Sequence, residues 1–385
     1  MLKPDHAISR RGFLAAAGAV GAAACAPAAV PPPGAAPPAA PGSAKAPWEQ
    51  EWDRLIAAAK QEGKVSVFTL TGTGYRKALD AFESAFGITV EHQAEASASI
   101  WVPKMQKERE AGVYSFDVVV VPPNSALLRL KPQGAWDPIR PALFRPDVTD
   151  DKAWRDGFDG QFMDVDKQLA FSYEYDVNHA ISIDTNQVQP DEIKTVKDLL
   201  NPKWKGRMMF SDVRVGSTYL AMTAIRDQFP DGDAMVRTLL VDQQPVFVRD
   251  ARQRAEAVVR GTFPVVLGAA PAALKEFRDA GVAGHVKYLD IPEIDIIFNY
   301  SVFLYNKAPH PNARKLFANW LLTKEGQTVW CKNVPTNSAR VDVEVFNHDG
   351  APSPGRKYYA SGQESTYAKQ ADTQKHINGL VGITN

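Results

Sequence analysis

The chain has 385 residues with 44 basic and 44 acidic side chains, so its formal net charge is zero. Without residues 1–47, which hold four of the basic and one of the acidic residues, the remaining body has a net charge of −3. This balance argues against nucleic acid or an anionic membrane surface as a partner. Two cysteines exclude a disulfide framework, since only Cys331 lies beyond the N-terminal segment.

The stretch Ser9–Pro27, SRRGFLAAAGAVGAAACAP, predicts an export signal. Its apolar part, Gly12–Ala24, is too short to span ~30 Å of hydrocarbon at ~1.5 Å per helical residue. Arg10 and Arg11 precede it, and the flanking Ser, Phe and Leu resemble the twin-arginine motif of bacterial proteins that leave the cytoplasm folded. An ordinary signal peptide with two incidental arginines is the alternative.

Cys25 follows three alanines, which resembles a lipobox, in which the cysteine is diacylated and becomes the new N-terminus. The same alanines also fit an A-x-A site for the ordinary signal peptidase. Residues 26–47 are almost entirely Ala, Pro and Gly, the composition of a semi-extended spacer. A tether between a lipid and a folded body explains such a spacer. We therefore expect a periplasmic protein that is anchored to the membrane by lipid on Cys25.

From Trp48 onward, the chain alternates predicted strands and helices, which is typical of an α/β fold. The apolar run Phe116–Val121 indicates a strand that is buried on both faces of a parallel sheet. The alternation breaks over residues 130–168, which are rich in Pro, Asp and Trp. In chain order, this first unit has helix Trp48–Glu62, strand Val65–Leu70, a helix through Phe86, strand Ile88–His92, helix Trp101–Glu110 and strand Phe116–Val121.

An extended stretch, Leu169–Ser182, separates this unit from a second one, and the polar stretch 340–385 has no predicted element. Two α/β units joined by extended chain make a cleft, which is the usual place for a ligand. The second unit has strands Arg207–Ser211, Val246–Val248, Val265–Gly268, Val286–Leu289 and Asn299–Tyr305. Its predicted helices are Ser217–Phe229, Ala251–Val259 and Pro271–Ala280, and one amphipathic helix within residues 307–330 follows the unit.

Three segments of the chain stand out: DLLNPKWKGRM (Asp198–Met208), AEAVVRGTFPVVLG (Ala255–Gly268) and NKAPHPNARKLFANWLLTKEGQTVW (Asn306–Trp330). In their order and separations they resemble the extracellular solute-binding proteins of ABC importers, in the branch that includes ferric-ion, polyamine, thiamine and phosphorylated-sugar binders. The likeness runs from about Trp48 to about Val341. It implies the α/β, two-lobed periplasmic binding protein fold of type II topology, with a hinge between the lobes.

By this resemblance, lobe 1 would hold residues 48–172 and 292–336, and lobe 2 would hold residues 173–291 with the tail 337–385. A small-molecule solute would bind between the lobes, and the ABC permease subunits in the inner membrane would be the protein partners. We expect a monomer. A solute-sensing receptor that signals to a membrane partner would use the same closing cleft and stays an alternative.

In open α/β sheets, ligands bind beyond the carboxyl ends of strands, where helix N-termini point their N–H groups. Hydroxyl groups and backbone donors in these loops suit an anion or a sugar, whereas the alternative is that they only cap helices and turn the chain. Two tyrosines alternate on the extended stretch and are expected to line the cleft. The predicted ligand residues are Thr71, Gly72, Thr73, Asn124, Ser125, Tyr173, Tyr175, Ser217 and Thr218.

Three arginines complete the predicted site. Asp250 is the predicted N-cap of a helix, so Arg252 falls in its first turn, where the helix dipole disfavours a cation. Such a break of a local rule marks a candidate functional residue. Arg249 and Arg252, together with Arg214, would suit a carboxylate or phosphate ligand, and solvated surface arginines are the alternative. We expect Arg252→Ala to lose ligand binding with little loss of folding.

Ferric-ion binding is an alternative function, because one branch of the family binds that ion. That branch has two adjacent tyrosines just after the strand that matches Val265–Gly268, whereas this chain has Ala269–Leu274, AAPAAL, without a phenol. Ferric ion needs hard, anionic oxygen ligands, so we predict no metal site. The chain also lacks G-x-S-x-G, P-loop and H-E-x-x-H motifs, so we expect neither enzymatic activity nor a cofactor.

Overall fold

The computed structural model describes residues 45–214, 216–268 and 271–382. The predicted export signal, Cys25 and the linker up to residue 44 lie outside these residues. The helices are α1 Pro47–Glu62, α2 Thr73–Phe86, α3 Ala98–Glu110, α4 Pro123–Ser125, α5 Pro146–Thr149, α6 Gly157–Gly160, α7 Ser217–Gln228, α8 Gly232–Arg237, α9 Ala251–Val259, α10 Pro271–Asp279, α11 Pro311–Leu321, α12 Lys324–Asn333 and α13 Tyr367–Leu380. The strands are β1 Lys64–Leu70, β2 Thr89–Glu95, β3 Val118–Val121, β4 Trp136–Asp137, β5 Phe171–Ser172, β6 Asp176–Asn178, β7 Ile181–Asp184, β8 Met208–Ser211, β9 Val246–Val248, β10 Val265–Leu267, β11 Val286–Tyr288, β12 Ile296–Phe298 and β13 Ser301–Tyr305.

The first sheet has the order β2-β1-β3-β13-β4, with β5 also paired to β13. β1 is parallel to β2 and β3, whereas β13 is antiparallel to β3. All four valines of β3 are buried, as predicted for a strand that is covered on both faces. Helices α1, α2 and α11 pack on one face and α3 packs on the other. We call this sheet and its helices lobe 1.

The second sheet has the order β11-β7-β10-β8-β9. β8 is parallel to both β9 and β10, and β7 is antiparallel to β10. Helices α7 and α8 supply the core on one face, and α9 and α10 supply it on the other. We call this sheet and its helices lobe 2. In the part of the chain that the structure describes, no helix is long and apolar enough to cross a membrane.

The two lobes are joined by a two-stranded ladder of β6 and β12. The strands are antiparallel, with Val177 opposite Ile297 and Asp176 opposite Phe298. The other edge of β12 is also paired, because the Ile297 N–H donates to the Tyr359 carbonyl at 3.0 Å. We call β6, β12 and Tyr359 the hinge. The predicted extended stretch between the two units is thus β5, β6 and β7, which leave lobe 1, cross the hinge and enter lobe 2.

The amphipathic segment that was expected to form one helix forms two, α11 and α12. Thr323 interrupts it and caps the second helix, because its side chain accepts a hydrogen bond from the Gly326 N–H at 3.0 Å. A Cβ atom at Gly326 would overlap the Trp320 carbonyl, so this tight corner needs glycine. The apolar periodicity runs through the corner because both helices pack on lobe 1.

The tail contains a helix that the sequence did not predict. α13 begins at Tyr367, whose ring is buried in the core of lobe 1, and reaches Ile377, which is buried in the core of lobe 2. Before the helix begins, Glu364 forms an ion pair with Lys131 of lobe 1 at 2.7 Å. Within the helix, Asp372 pairs with Arg226 of α7 in lobe 2 at 2.9 Å. The tail therefore packs against both lobes.

We predict that Tyr367→Ala lowers the free energy of unfolding by about 3 kcal/mol, because it empties an aromatic site in a packed core. The control is Lys375→Ala, which changes an exposed residue of the same helix. Urea denaturation measures both variants. Equal stabilities of the two variants would contradict the packing of α13 against lobe 1.

Candidate functional site

The carboxyl ends of the parallel strands in lobe 1 lie at one edge of its sheet. Thr71 and Gly72 follow β1 and are exposed, and Thr73 begins α2. Asn124 and Ser125 lie in α4, directly after β3, and are half-buried. Because β1 and β3 are parallel neighbours, these five predicted residues lie at the same edge.

A cavity of about 350 Å³ opens beside this edge, between α3 and α4. Ser125 lines it together with Ser99, Gln106 and Arg129, which the sequence analysis did not select. Hydroxyl, amide and guanidinium groups are hydrogen-bond donors, so the cavity suits polar acceptor groups. Ser99 lies in the first turn of α3, the helix that follows β2, so the strand-end rule points to this turn once β2 is known to extend to Glu95.

The sheet of lobe 2 has a corresponding edge, which carries two of the predicted arginines. Asp212 follows β8, and its carboxylate accepts hydrogen bonds from Arg214 Nε at 2.8 Å and from Arg249 Nε at 3.1 Å. The hydrogen bond from Arg214 holds the pKa of Asp212 well below its usual range. The side chains of Arg214 and Arg249 are 45% and 66% exposed. Two guanidinium groups on one carboxylate leave a net positive charge and further N–H donors at this edge.

Another arginine, Arg254, holds the strand ends at this edge together. It is buried, and its guanidinium donates to the carbonyls of Gly268 at 2.8 Å, Val248 at 2.7 Å and Arg249 at 2.6 Å. Arg254 therefore ties the end of β9 to the end of β10. The sequence analysis missed it, although it shares the buried stripe of α9 with Ala257, three residues on.

The side chain of Arg252 contacts residues of another helix, α10. Asp250 caps α9 as predicted, since its Oδ1 accepts a hydrogen bond from the Gln253 N–H at 2.7 Å. Arg252 lies in the first turn, but it forms an ion pair with Glu276 and lies 5.2 Å from the ring centroid of Phe277. Both partners are on α10. This pairing offsets the unfavourable position of the cation at a helix N-terminus, so the broken local rule has a structural explanation.

Ser217 and Thr218 open α7 beside the two exposed arginines. Thr218 is fully buried, and its hydroxyl lies 2.7 Å from Ser211 Oγ and donates to the Ser211 carbonyl at 2.9 Å. The structure therefore uses Thr218 to fasten α7 to β8. Ser217 is half-buried and remains at the edge. Gly268 packs against this corner at φ +82°, where a Cβ atom would lie 2.9 Å from Ser211 Oγ.

Neither of the two predicted tyrosines of the extended stretch lines the cavity between α3 and α4. Tyr173 has no exposed surface and packs with its ring centroid 5.8 Å from that of Trp330, so the structure places it in the core of lobe 1. Tyr175 lies under the guanidinium of Arg155 and lines a separate hinge cavity of about 270 Å³. The sequence correctly predicts that the two tyrosines lie on an extended stretch, but it does not show that both side chains are buried.

Between these tyrosines, Glu174 is a buried carboxylic acid that sequence reasoning missed. It is 2% exposed, and burial, helped by the nearby Asp176, raises its pKa to about 8. Its Oε1, the Tyr173 hydroxyl and the Trp330 indole N–H have no hydrogen bond of ordinary geometry. Burial therefore favours the protonated, uncharged form of Glu174 at the base of lobe 1.

One group of potential metal ligands, His179, Asp290 and Asp295, lies close together among the described residues. Asp295 lies 2.7 Å from His179 Nδ1 and accepts hydrogen bonds from two backbone N–H groups. Asp290 accepts hydrogen bonds from Ser353 Oγ at 2.6 Å and Tyr358 Oη at 2.9 Å. These hydrogen bonds engage both carboxylates, which thereby hold the hinge and the tail in place.

Each lobe thus presents polar side chains at the carboxyl edge of its sheet, an arrangement that is typical of ligand-binding α/β proteins. The family model of the bacterial extracellular solute-binding proteins matches residues 77–351, and the chain therefore belongs to this family. Proteins of this family bind small solutes and work in transport with ABC permeases. Comparison with curated protein sequences gives no match.

Solved structures of two-lobed solute-binding proteins are similar over almost their whole length. A Trichodesmium protein (IdiA, FutA) in complex with iron and citrate has a TM-score of 0.65 at 17% identity, over 83% of this chain and 99% of that chain. The ferric iron-binding protein A of Mannheimia haemolytica, in an open conformation, has a TM-score of 0.66 at 13% identity, over 84% and 100%. An ABC transporter structure from Clostridium perfringens has a TM-score of 0.66 at 13% identity, over 82% and 99%. These similarities confirm the predicted α/β, two-lobed fold of type II topology.

We predict that Arg254→Met destabilises the protein by about 3 kcal/mol, because the buried Gly268 carbonyl and the part-buried carbonyls of Val248 and Arg249 lose their donor. The matched control is Arg260→Met, at the exposed end of α9, where the side chain pairs with Glu256. Chemical denaturation measures both variants. Equal stability of Arg254→Met and the wild type would show that Arg254 does not hold the edge together.

Glu174 gives a prediction of pH dependence. The folded protein keeps the proton on Glu174 up to a pKa of about 8, whereas the unfolded chain releases it near the ordinary value of 4.5. Between these pH values, the wild type therefore loses stability as the pH rises. Glu174→Gln removes this contribution, so its melting temperature relative to the wild type should increase from pH 4.5 to pH 8. Parallel melting profiles over this range would contradict the buried, protonated state.

Proposed function

We propose that this chain is the solute-binding component of an ABC importer and that it captures a small anionic or polar organic solute in the cleft between its lobes. The observation that carries the proposal is the pair of exposed arginines, Arg214 and Arg249, which share Asp212 at the carboxyl edge of lobe 2. Charge-assisted hydrogen bonds from guanidinium groups are strong and suit carboxylates and phosphates.

The groups at the edge of lobe 1 would complete the site. Thr71, Asn124 and Ser125 offer neutral donors and acceptors, as does Ser217 across the cleft. A solute that contacts both edges binds the closed state better than the open one, and this difference in affinity shifts the protein toward closure. We propose that lobe 1 comprises residues 48–172 and 292–336 and that lobe 2 comprises residues 173–291 and 337–385, except that Tyr173 and Ala339 pack in the core of lobe 1 and α13 touches both lobes.

The N-terminal segment supports a location outside the cytoplasm. The family is extracellular, and the twin-arginine pattern before the apolar stretch favours export in a folded state. Cys25 and the Ala/Pro-rich segment after it favour a lipid anchor on a spacer, which would hold the monomer within reach of its permease. Import and solute sensing share the same closing cleft, and the family's association with ABC permeases favours import.

Ferric-ion binding is the alternative function, because ferric-binding proteins are among the structural neighbours. Ferric ion requires anionic oxygen ligands. The described residues at the edge of lobe 2 instead present Arg214 and Arg249, which repel a cation. The carboxylate of Asp212 is already engaged by both arginines. Ala269 and Ala270, where the ferric branch has tyrosines, lie outside the described residues.

The experiment is thermal melting against a panel of carboxylates, phosphorylated sugars, phosphonates, polyamines, thiamine and ferric citrate. We expect a specific shift with an anionic solute, since a ligand at 100 times its dissociation constant stabilises by about 2.7 kcal/mol. Arg249→Ala and Arg214→Ala should each weaken binding about tenfold or more, because a charge-assisted hydrogen bond is lost. Isothermal titration measures these affinities.

Two variants serve as comparisons. Arg260→Ala changes an exposed arginine at the far end of α9 and should bind normally. Arg252→Ala tests the remaining predicted arginine, and we expect a smaller effect there because Glu276 already occupies its guanidinium. A shift with ferric ion alone would replace this proposal by the iron-binding alternative. Normal binding of the anionic solute by Arg214→Ala and Arg249→Ala would exclude the arginine edge as its site.

A further inference from the structure

We infer that the hinge cavity is a second binding site, which takes a free α-amino acid with a carboxamide at the end of its side chain. The cavity has a volume of about 270 Å³. It is lined by none of the residues that are proposed to bind the solute at the edges of the two lobes, so this inference goes beyond the proposed function.

Three segments of the chain meet at the hinge cavity. Asp156 and Gln161 belong to the loop of lobe 1 that precedes β5, and Ile297 and Asn299 belong to β12 and the residue after it. The third segment is the tail, which contributes residues from Lys357 onward. A molecule in this cavity would therefore contact lobe 1, the hinge and the tail at once.

The mouth of the cavity carries two opposite charges that do not pair with each other. Asp156 and Lys357 both line the cavity and both are exposed, which places them at its mouth. Among the described residues, neither side chain forms a hydrogen bond or an ion pair. Arg155 adds a further positive charge beside them, with its guanidinium 4.9 Å from the ring centroid of Tyr175. Partial burial raises the pKa of Asp156, and the charges of Arg155 and Lys357 oppose this effect.

This pattern of charge selects a ligand that carries both signs. Lys357 and Arg155 would repel a simple cation, whereas Asp156 would repel a simple anion. An α-amino acid has an ammonium and a carboxylate group on the same carbon atom. Its ammonium group suits Asp156, and its carboxylate suits Lys357 with Arg155 nearby.

The inner end of the cavity offers two amide oxygens that lack donors. Gln161 and Asn299 are only 3% and 8% exposed. Their NH₂ groups are engaged, since Gln161 Nε2 donates to the Gly157 carbonyl at 3.1 Å and Asn299 Nδ2 donates to the Glu174 carbonyl at 3.1 Å. Within the part of the chain that the structure describes, neither Asn299 Oδ1 nor Gln161 Oε1 accepts a hydrogen bond. A buried acceptor without a donor is costly, so the inner end favours a ligand group that donates.

A carboxamide side chain meets this requirement, because its NH₂ group supplies two donors and no charge. The rest of the wall is largely apolar and includes Met163, Tyr175 and Ile297, which suits the methylene groups of such a side chain. The cavity is smaller than the ~300–1,000 Å³ of sites for drug-sized ligands, so it suits a single amino acid. L-glutamine and L-asparagine combine these features.

Isothermal titration of the wild type with these two amino acids tests the inference, and we expect at least one of them to bind. The binder is then compared with its analogues that lack one charge, which are 4-aminobutanamide and glutaramate for L-glutamine and 3-aminopropanamide and succinamate for L-asparagine. Each analogue should bind about threefold more weakly or less, since exposed charge pairs contribute modestly. L-methionine keeps both charges but offers no donor at the inner end, and it should bind about tenfold more weakly.

Variants at the mouth locate the site. Asp156→Asn and Lys357→Gln should each weaken binding of the amino acid about threefold or more, and both positions are exposed, so folding is preserved. The matched controls are Asp191→Asn and Lys375→Gln, which change exposed residues away from the cavity and should bind normally. The bound amino acid should also slow amide hydrogen exchange in residues 357–363, because it contacts the tail.

Four outcomes would overturn the inference. They are failure of both amino acids to bind at millimolar concentration, equal affinities for the binder and an analogue that lacks one charge, equal affinities for the binder and L-methionine, and normal binding by Asp156→Asn and Lys357→Gln. If Arg249→Ala lost the amino acid while these two variants kept it, the amino acid would be the solute of the cleft. That result would overturn the hinge site and leave the proposed function standing.

Discussion

The short ladder between β6 and β12 is the constraint on which the cleft depends. β12 is hydrogen-bonded on both edges, to β6 and to Tyr359. Pairing on both edges leaves no room for the strand to slip, and a slip of one residue would turn every side chain to the opposite face. The register therefore decides which side chains of this segment are covered: Phe298 is exposed, whereas Ile297 and Asn299 line the hinge cavity.

Lobe 2 shows how a buried charge can organise exposed ones. The guanidinium of Arg254 is hydrogen-bonded to three carbonyl groups, which ties together the strand ends that carry Arg249 and Gly268. Asp212 then draws Arg214 and Arg249 together at the surface. The positive edge is thus held in place before any solute arrives, and such preorganisation reduces the entropy lost on binding. Lobe 1 offers mostly neutral polar groups, so the two faces of the cleft differ in charge.

The tail gives the two lobes a second connection. Besides the hinge, α13 spans from the core of lobe 1 at Tyr367 to the core of lobe 2 at Ile377. Its sequence has a weak apolar pattern, because its buried residues include the polar Gln370, Thr373 and Asn378. Periodicity could not find this helix, since its contacts change from one lobe to the other along its length. The same reason explains why the sequence did not predict the burial of Glu174, which lies between two tyrosines in the segment that runs from one lobe to the other.

The sequence by itself determined the α/β class, the family resemblance, most strand and helix positions and the local cap at Asp250, because these depend on short-range patterns and on motifs along the chain. It also placed Thr71, Asn124, Arg214 and Arg249 at strand ends, and a parallel sheet brings strand ends to one edge. Only the tertiary structure decided which of these side chains are free for a ligand. It packed Thr218 and Tyr173 into the cores and paired Arg252 with Glu276. Burial and pairing of this kind arise between segments that are distant in the chain, so no local pattern records them.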